Sequence, residues 1–194
     1  MKKIILFDFD GTIADSFDNF LTIIERIREK YALPEIPKEI IEELRNEDAR
    51  TLIKKLKIPF FKIPFIARDM KKIQGESIEK IQPFKNLPEV LKKLKDKGYF
   101  LGILTSNGER NVRNFLKKHD LEKFEFIHCD SSLFGKDKSI EKFLSQNFIE
   151  KGNVLYVGDE IRDIFACRKV GIKIIAVGWG FNSKEGLLKN KPDY

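Results

Sequence analysis

The sequence predicts an α/β protein with a doubly wound parallel sheet and a small all-helical cap inserted after the first strand. From Pro83 onward, apolar strands alternate with helical stretches of about ten residues, which is typical of right-handed β–α–β crossovers. Between the first strand and Pro83, the apolar residues follow helical spacing only. We therefore expect an α/β core made of residues 1–14 and 83–194 and a helical cap made of residues 15–82.

The first predicted strand ends in two aspartates. Ile4–Phe7 is entirely apolar, as expected of a buried parallel strand, and Asp8, Asp10 and Gly11 follow it. Two ionised carboxylates this close repel each other unless a cation lies between them or one is protonated. Open α/β sheets carry their chemistry at the carboxyl ends of the strands, so we expect a site for a hard divalent cation here, with Mg²⁺ as the usual ion of phosphate chemistry. The alternative is a turn with two solvated aspartates.

Four amphipathic helices are expected in the cap. Apolar residues from Phe17 to Ile27 recur at helical spacing, so a helix should run from residue 16 to about residue 31, with Ser16 as its capping residue. Pro34 and Pro37 end this unit. Three further helices are indicated by apolar residues in 40–44, 52–56 and 61–73.

The remaining strands and helices of the core alternate along the chain. The predicted strands are 99–105, 124–129, 154–157 and 173–177, and the predicted helices are 87–97, 111–119, 138–146 and 164–170. Gly98 and Gly171 directly follow two of these helices, where glycine is the usual terminating residue.

Polar residues also follow three later strands, at the edge of the predicted sheet where Asp8 lies. Thr105, Ser106 and Asn107 precede a helix, whose first N–H groups form an anion site, although Ser and Asn also cap helices without a ligand. Lys136 could neutralise a phosphoryl group. Asp159 can complete a metal shell, with Asp163 one helical turn further on; an acidic helix start favoured by the helix dipole is the alternative.

In chain order, these residues resemble the four motifs of the haloacid dehalogenase-like superfamily. The inserted helices resemble the C1 cap of that superfamily, and residues 177–181 and 192–194 are similar to its phosphoglycolate phosphatase-like branch. The resemblance spans nearly the whole chain and implies a Rossmann-like core and a Mg²⁺-dependent phosphatase. It rests on Asp8-Phe9-Asp10-Gly11-Thr12, Thr105-Ser106-Asn107, Lys136 and Gly158-Asp159-x-x-x-Asp163.

The resemblance also implies a role for each residue. Asp8 would attack phosphorus, and Asp10 would protonate the leaving alcohol and then deprotonate the attacking water. Asp8, Asp159 and the backbone carbonyl of Asp10 would bind Mg²⁺, with Asp163 in support. Lys136 would balance the phosphoryl charge; Lys138 is the alternative, because Asp137 stands where the family commonly has proline. The phosphoryl oxygens would be held by Gly11, Thr105, Ser106 and Asn107.

The same four motifs are also compatible with other functions. A phosphomutase acting on a sugar phosphate would keep all four, and a non-catalytic binding or regulatory protein would use the fold as a scaffold. A dehalogenase is disfavoured, because those enzymes lack an aspartate at the position of Asp10. The substrate could be phosphoglycolate, pyrophosphate, a sugar phosphate or a nucleoside monophosphate. The cap would choose it, and its candidate residues, which are equally typical of a protein surface, are Arg45, Asn46, Arg50 and Lys54.

Net charge and residue patterns exclude several classes of binding partner. The formal net charge of +7 suits an anionic substrate, and we expect a small phosphorylated metabolite. There is no Arg-rich tract interleaved with aromatic residues, so no nucleic-acid partner is expected. No apolar run approaches the roughly 20 residues that cross a bilayer, and the run after Lys3 is too short for a signal peptide. We therefore expect no membrane partner and a cytoplasmic location.

Overall fold

A five-stranded parallel sheet forms the centre of the protein. The computed structural model describes residues 3–130 and 135–194, without the side chains of residues 38, 39, 49 and 50. The sheet consists of β1 (Ile4–Phe7), β4 (Phe100–Thr105), β5 (Phe126–Cys129), β6 (Val154–Gly158) and β7 (Lys173–Ala176). Their order is β5–β4–β1–β6–β7, and every neighbouring pair is parallel. The predicted doubly wound parallel sheet is confirmed.

The sheet is buried on both faces. Successive residues of β1 alternate between two apolar clusters: Ile5 and Phe7 pack into one, and Ile4 and Leu6 into the other. A strand covered on both sides needs apolar residues at every position, which explains the uninterrupted run that precedes Asp8. β1 therefore lies in the middle of the sheet, with β4 and β6 on either side of it.

The core helices connect these strands. Three begin earlier than the sequence predicts, because their first turns are mostly polar and do not show the apolar periodicity on which the prediction depended. Capping residues set the true start of α8: Glu160 and Asp163 each accept a hydrogen bond from the other's backbone N–H. The helices are α5 (Leu87–Asp96), α6 (Glu109–Lys118), α7 (Lys136–Gln146), α8 (Ile161–Val170) and α9 (Lys184–Lys189).

The residues between β1 and α5 form helices, as predicted. They are α1 (Phe17–Tyr31), α2 (Lys38–Leu44), α3 (Ala49–Lys55) and α4 (Ile63–Ser77), with short 3₁₀ turns at Phe60–Lys62 and Ile78–Lys80. Ile23, Ile27 and Ile66 form a small apolar cluster of their own between α1 and α4. The expectation that Ser16 caps α1 with its side chain is wrong. Its φ of −108° and ψ of 6° depart from the extended conformation of a capping serine, and no capping hydrogen bond forms.

Two short strands connect the helical segment to the core. β2 (Ala14–Asp15) and β3 (Gln82–Pro83) pair in antiparallel fashion, so the chain leaves and re-enters the core at adjacent points. The predicted boundaries of the cap fall within this pair, and we retain the division into core and cap as a proposal. Among the described residues, no helix is long and apolar enough to cross a membrane.

Candidate active site

Asp8 lies at the carboxyl end of the central strand and is buried. Its backbone N–H donates to the carbonyl of Val157 at 2.8 Å, which continues the pairing of β1 with β6 past the end of the strand. Oδ1 of its side chain accepts the backbone N–H of Phe9 at 2.8 Å. Asp8 as a residue is 3% exposed, so the charge of its carboxylate needs partners inside the protein.

Lys136 supplies one of those partners. It is the first residue of α7, directly after Gly135, and its Nζ donates to Oδ2 of Asp8 and to Oδ1 of Asp163. Burial alone would lower the pKa of Lys136, but the carboxylates of Asp163 and Asp8 outweigh burial and hold that pKa above its ordinary value. Lys136 is therefore a permanently charged group between two carboxylates.

The two charged residues that follow Lys136, Asp137 and Lys138, do not contact Asp8 in the described structure. Lys138 is exposed, and Asp137 accepts a hydrogen bond from Lys169 on α8. Of the two lysines that the sequence left open for the third motif, the structure brings Lys136 to Asp8.

Asp159 lies at the end of β6 and is fully buried. Its Oδ1 accepts the hydroxyl of Thr12 at 2.7 Å, and its Oδ2 accepts the backbone N–H of Phe181 at 2.7 Å. Glycine is needed on both sides of this carboxylate: a Cβ on Gly11 would lie 2.1 Å from Oδ2, and one on Gly180 would lie 2.2 Å from it. Gly11 also has φ of +74°, a backbone conformation that glycine adopts without strain, so it allows both the turn after Asp10 and the close approach to Asp159.

Three buried carboxylates meet at this edge of the sheet. Asp8, Asp159 and Asp163 each place an oxygen within 4.8 Å of the other two. Burial raises the pKa of Asp159 well above its ordinary value, with Glu160 and Asp8 adding to the effect. Burial also raises the pKa of Asp163 to about 6, against the opposing charge of Lys136. Two cations lie near these three carboxylates, Lys136 and Arg162, and Arg162 also pairs with a fourth carboxylate, that of Glu160. Among the described residues the carboxylates outnumber the cations, and oxygen-only ligands suit a hard cation, so the residues present fit Mg²⁺.

The side chain of Asp10 is held elsewhere. Its Oδ1 accepts Nε2–H of Gln74 on α4 at 2.9 Å, and its Oδ2 accepts Nδ2–H of Asn107 at 2.9 Å. Burial raises the pKa of Asp10 to about 6; the hydrogen bond from Asn107 opposes this shift and the charge of Asp8 adds to it. Asp8 and Asp10 thus have different surroundings although one residue separates them.

The segment after β4 borders the same site. Thr105 is buried, and its hydroxyl accepts the backbone N–H of Asn107 at 3.0 Å. A cavity of about 10 Å³ lies between this segment and Lys136, and Thr105, Ser106 and Arg162 are among the residues that line it. Asn107 donates its side-chain amide N–H to Asp10, and its predicted contact with phosphate stays a prediction.

The cap residues predicted to choose the substrate bind the loop after β7. Arg45 donates from Nε to the carbonyl of Phe181 at 3.0 Å and from Nη2 to that of Gly180 at 2.8 Å. Asn46 accepts the hydroxyl of Ser183. These contacts join the cap to the core, and the role of Arg45 and Asn46 in the choice of substrate stays a prediction. Lys54 is exposed, and the side chain of Arg50 lies outside the described part of the chain.

Sequence reasoning missed three contributors to the site: Thr12, Gln74 and the backbone N–H of Phe181. Thr12 was part of a recognised motif, but nothing local showed that its hydroxyl binds Asp159. Gln74 follows Ile73 on an amphipathic helix, where a polar residue next to the apolar stripe is the only available signal. A backbone donor such as that of Phe181 leaves no signal in the residue type.

Comparison with known proteins places this arrangement in a family. The family model described as haloacid dehalogenase-like hydrolase matches residues 5–177. The chain belongs to the haloacid dehalogenase-like hydrolases. The expected family and the expected hydrolase class are therefore confirmed. A haloacid dehalogenase-like family hydrolase from Streptococcus pneumoniae has the same fold, with a TM-score of 0.81 at 21% identity over 100% of this chain and 92% of that one.

Two curated relatives of this haloacid dehalogenase-like hydrolase are phosphatases by name. A phosphoglycolate phosphatase from Synechococcus elongatus is 28% identical over 191 residues, which cover 98% of this chain and 90% of the relative. An N-acetylmuramic acid 6-phosphate phosphatase from Pseudomonas aeruginosa is 24% identical, with 92% of this chain and 83% of the relative covered.

Proposed function

We propose that the protein is a Mg²⁺-dependent phosphatase that hydrolyses a small phosphomonoester through an aspartyl-phosphate intermediate, an acyl phosphate on Asp8. One observation carries this proposal: the ends of β1 and β6 and the start of α7 bring a buried nucleophile candidate, a candidate metal ligand and a charged lysine together. Lys136 bonds directly to Asp8, and Asp159 lies in the same carboxylate cluster. The names of the curated relatives support the reaction class.

Asp8 is suited to nucleophilic attack. Oδ1 is held by the N–H of Phe9, and Oδ2 contacts Lys136, so the orientation of the carboxylate is fixed before substrate binds. Attack by a carboxylate oxygen forms a P–O bond to Asp8, while the bond from phosphorus to the ester oxygen breaks. Lys136 and backbone N–H groups at Gly11 and Ser106, with the hydroxyl of Thr105, would hold the phosphoryl oxygens.

Asp10 is suited to proton transfer. Its carboxyl would give its proton to the departing alkoxide oxygen, which leaves as the alcohol. Asp10 would then take a proton from the water that attacks phosphorus, and this attack frees inorganic phosphate and restores Asp8. The pKa of about 6 lies close enough to neutrality for one carboxyl group to perform both steps.

Mg²⁺ would be held by Asp8 and Asp159, with the backbone carbonyl of Asp10 and support from Asp163, as the family resemblance implies. When bound, the ion supplies positive charge beside the phosphoryl group and lowers the repulsion between this group and Asp8. The buried carboxylates are otherwise short of positive charge, which is the structural argument for the cation.

The substrate is proposed at the level of class. The two curated relatives are named for different phosphate esters, so their names favour a small phosphorylated metabolite without selecting one. A cytoplasmic location stays a prediction from the sequence.

A substrate panel tests the proposal. Phosphoglycolate, N-acetylmuramic acid 6-phosphate, pyrophosphate, a sugar phosphate, a nucleoside monophosphate and p-nitrophenyl phosphate are assayed for phosphate release with Mg²⁺ and with a chelator. We expect release from at least one phosphomonoester with Mg²⁺, and none with the chelator. Release that persists fully in the chelator would contradict the metal assignment, and no release from any ester would contradict the reaction class.

A further inference from the structure

A side chain from the cap reaches the residue proposed to move protons. Gln74 lies on α4, and its Nε2–H donates to Oδ1 of Asp10 at 2.9 Å. The two residues are 64 positions apart in the sequence, so this contact exists only while α4 lies against the core. The helices approach each other closely at the neighbouring Gly75, where a Cβ would lie 3.3 Å from Oδ1 of Asn111 on α6.

The second oxygen of Asp10 is held from the core. Asn107 donates from Nδ2 to Oδ2 of Asp10, and Oδ1 of Asn107 accepts the backbone N–H of Gly108 at 2.7 Å. Because a backbone N–H can only donate, this bond fixes which end of the Asn107 amide faces Asp10. Asn111 donates to the same Oδ1 at 3.1 Å and strengthens the orientation.

The two amides together set the plane of the Asp10 carboxyl group. A carboxylate oxygen has two acceptor positions, so one amide on each oxygen leaves one position on each for a proton exchanged with substrate or water. If Gln74 were lost, the contact with Asn107 would remain, but the group could rotate about it. A small error in the orientation of a proton donor is costly, because transfer requires hydrogen-bond geometry.

We propose that Gln74 is a positioning residue, which orients Asp10 for proton transfer when the cap lies on the core. This inference rests on the proposed function, since it requires Asp10 to be the proton donor. It gives the cap a part in the chemical step that is separate from the choice of substrate. Catalytic competence would then depend on the seating of α4.

The test uses the dependence of rate on the leaving group. Gln74→Met keeps the length of the side chain and removes the donor. We compare kcat/KM, which reports the steps up to phosphoryl transfer to Asp8, for p-nitrophenyl phosphate and for the best alkyl phosphomonoester of the panel. A nitrophenolate leaves without a proton, whereas an alkoxide needs one. We expect Gln74→Met to lower kcat/KM by about 10-fold or more for the alkyl ester and by less than about threefold for the aryl ester.

Two further variants make the result interpretable. Lys72→Met places the same residue on an exposed position of the same helix, and both rates should stay at the wild-type level. Asp10→Asn removes the proposed proton donor, and it should show the same preference for the aryl ester more strongly. Thermal unfolding of each variant reports whether the cap stays folded.

Each outcome has a distinct meaning. Selective loss on the alkyl ester in both Gln74→Met and Asp10→Asn supports the inference. If Asp10→Asn is selective but Gln74→Met lowers kcat/KM equally for both substrates, or for neither, then Gln74 has no positioning role. If Asp10→Asn itself shows no selectivity, Asp10 is not the proton donor, and the proposed mechanism fails together with the inference.

Discussion

The position of Lys136 shows how one residue at a helix start can define a site. Its backbone belongs to α7, while its ammonium group lies between Asp8 and Asp163 with one tenth of the side chain exposed. Lys138 lies on the exposed side of the same helix. This pair offers a matched test of the third motif.

We predict that Lys136→Ala lowers kcat/KM by roughly 10²-fold or more, because it removes a preorganised charge from the developing phosphoryl transition state. Lys138→Ala should change kcat/KM by less than about threefold, since an exposed lysine contributes little. Steady-state kinetics of both purified variants check this, with circular dichroism to confirm folding. The reverse ranking would transfer the role to Lys138.

The sequence predicted the individual carboxylates of the site but not the side chains that contact Asp10. Asp8 and Asp159 could be found because each follows an apolar strand, where a carboxylate is unusual, and Asp163 because it lies one helical turn after Asp159. The direction of the Asp10 side chain could not be found, because Gln74 and Asn107 meet it from distant parts of the chain. Residue type and local spacing carry no information on such contacts.

Among the elements, α1 and α4 are joined by a buried carboxylate. Asp69 on α4 accepts hydrogen bonds from Nζ of Lys30 at 2.5 Å and from the hydroxyl of Tyr31 at 2.8 Å. The hydrogen bond from Lys30, with that from Tyr31, holds the pKa of Asp69 well below its ordinary value. This residue therefore ties together the two longest helices of the cap.

We predict that Asp69→Asn lowers the melting temperature at pH 7 by a few degrees. The native state depresses the pKa of Asp69, so its contribution is present above the unfolded pKa of about 4 and is lost as the pH falls through the native pKa. The difference between wild type and variant should therefore shrink in acid. Glu29→Gln, at an exposed position of α1, is the control. A difference that is constant from pH 7 to pH 3 would contradict this role.

A second tie joins the cap to the core through Asn182. Its Oδ1 accepts the N–H of Ile161 at the start of α8, and its Nδ2 donates to the carbonyls of Arg45 and Glu47. Since Phe181, the preceding residue, holds Asp159 through its backbone N–H, the same loop contacts the cap and the carboxylate cluster.

We predict that Asn182→Ala lowers the free energy of unfolding by about 1–3 kcal/mol, because it removes the acceptor of the buried N–H of Ile161 and a donor to the carbonyl of Glu47, whereas the carbonyl of Arg45 keeps the N–H of Ser183. Asn147→Ala is the matched control: Asn147 is exposed, and its side-chain amide donates to the carbonyl of Phe143 one turn away. Urea denaturation measures both. An equal decrease in the free energy of unfolding in both variants would show that the contact of Asn182 between cap and core adds no more than a local contact.

For the whole molecule, sheet topology determines which residues meet. β1 lies between β4 and β6, so Asp8, Thr105 and Asp159 all emerge at one edge, as the alternating pattern predicted. The pattern did not predict how the cap attaches. Arg45 and Phe181 are 136 residues apart, and their contact depends on the packed arrangement of both segments. Periodicity determines elements and their order, whereas such contacts arise only on folding.

The concentration of buried negative charge gives a prediction for the whole protein. Mg²⁺ should raise the melting temperature by several degrees, because an ion that binds only the native state stabilises it by mass action. Asp159→Asn should abolish this rise, and Asp96→Asn, on the exposed end of α5, should retain it. Differential scanning fluorimetry with Mg²⁺ and with a chelator measures the effect. A full Mg²⁺ response in Asp159→Asn would place the ion elsewhere.

Phosphoryl transfer to Asp8 is tested most directly by acid-quenching the enzyme during turnover and locating the phosphoryl group by peptide mass spectrometry. We predict a phosphoryl group on the peptide that contains Asp8 in the wild type with Mg²⁺. Asp8→Asn, which changes a single side-chain atom, should show neither this group nor measurable turnover. Phosphate release by the wild type without phosphorylation of Asp8, or a tenth of wild-type activity in Asp8→Asn, would contradict the mechanism.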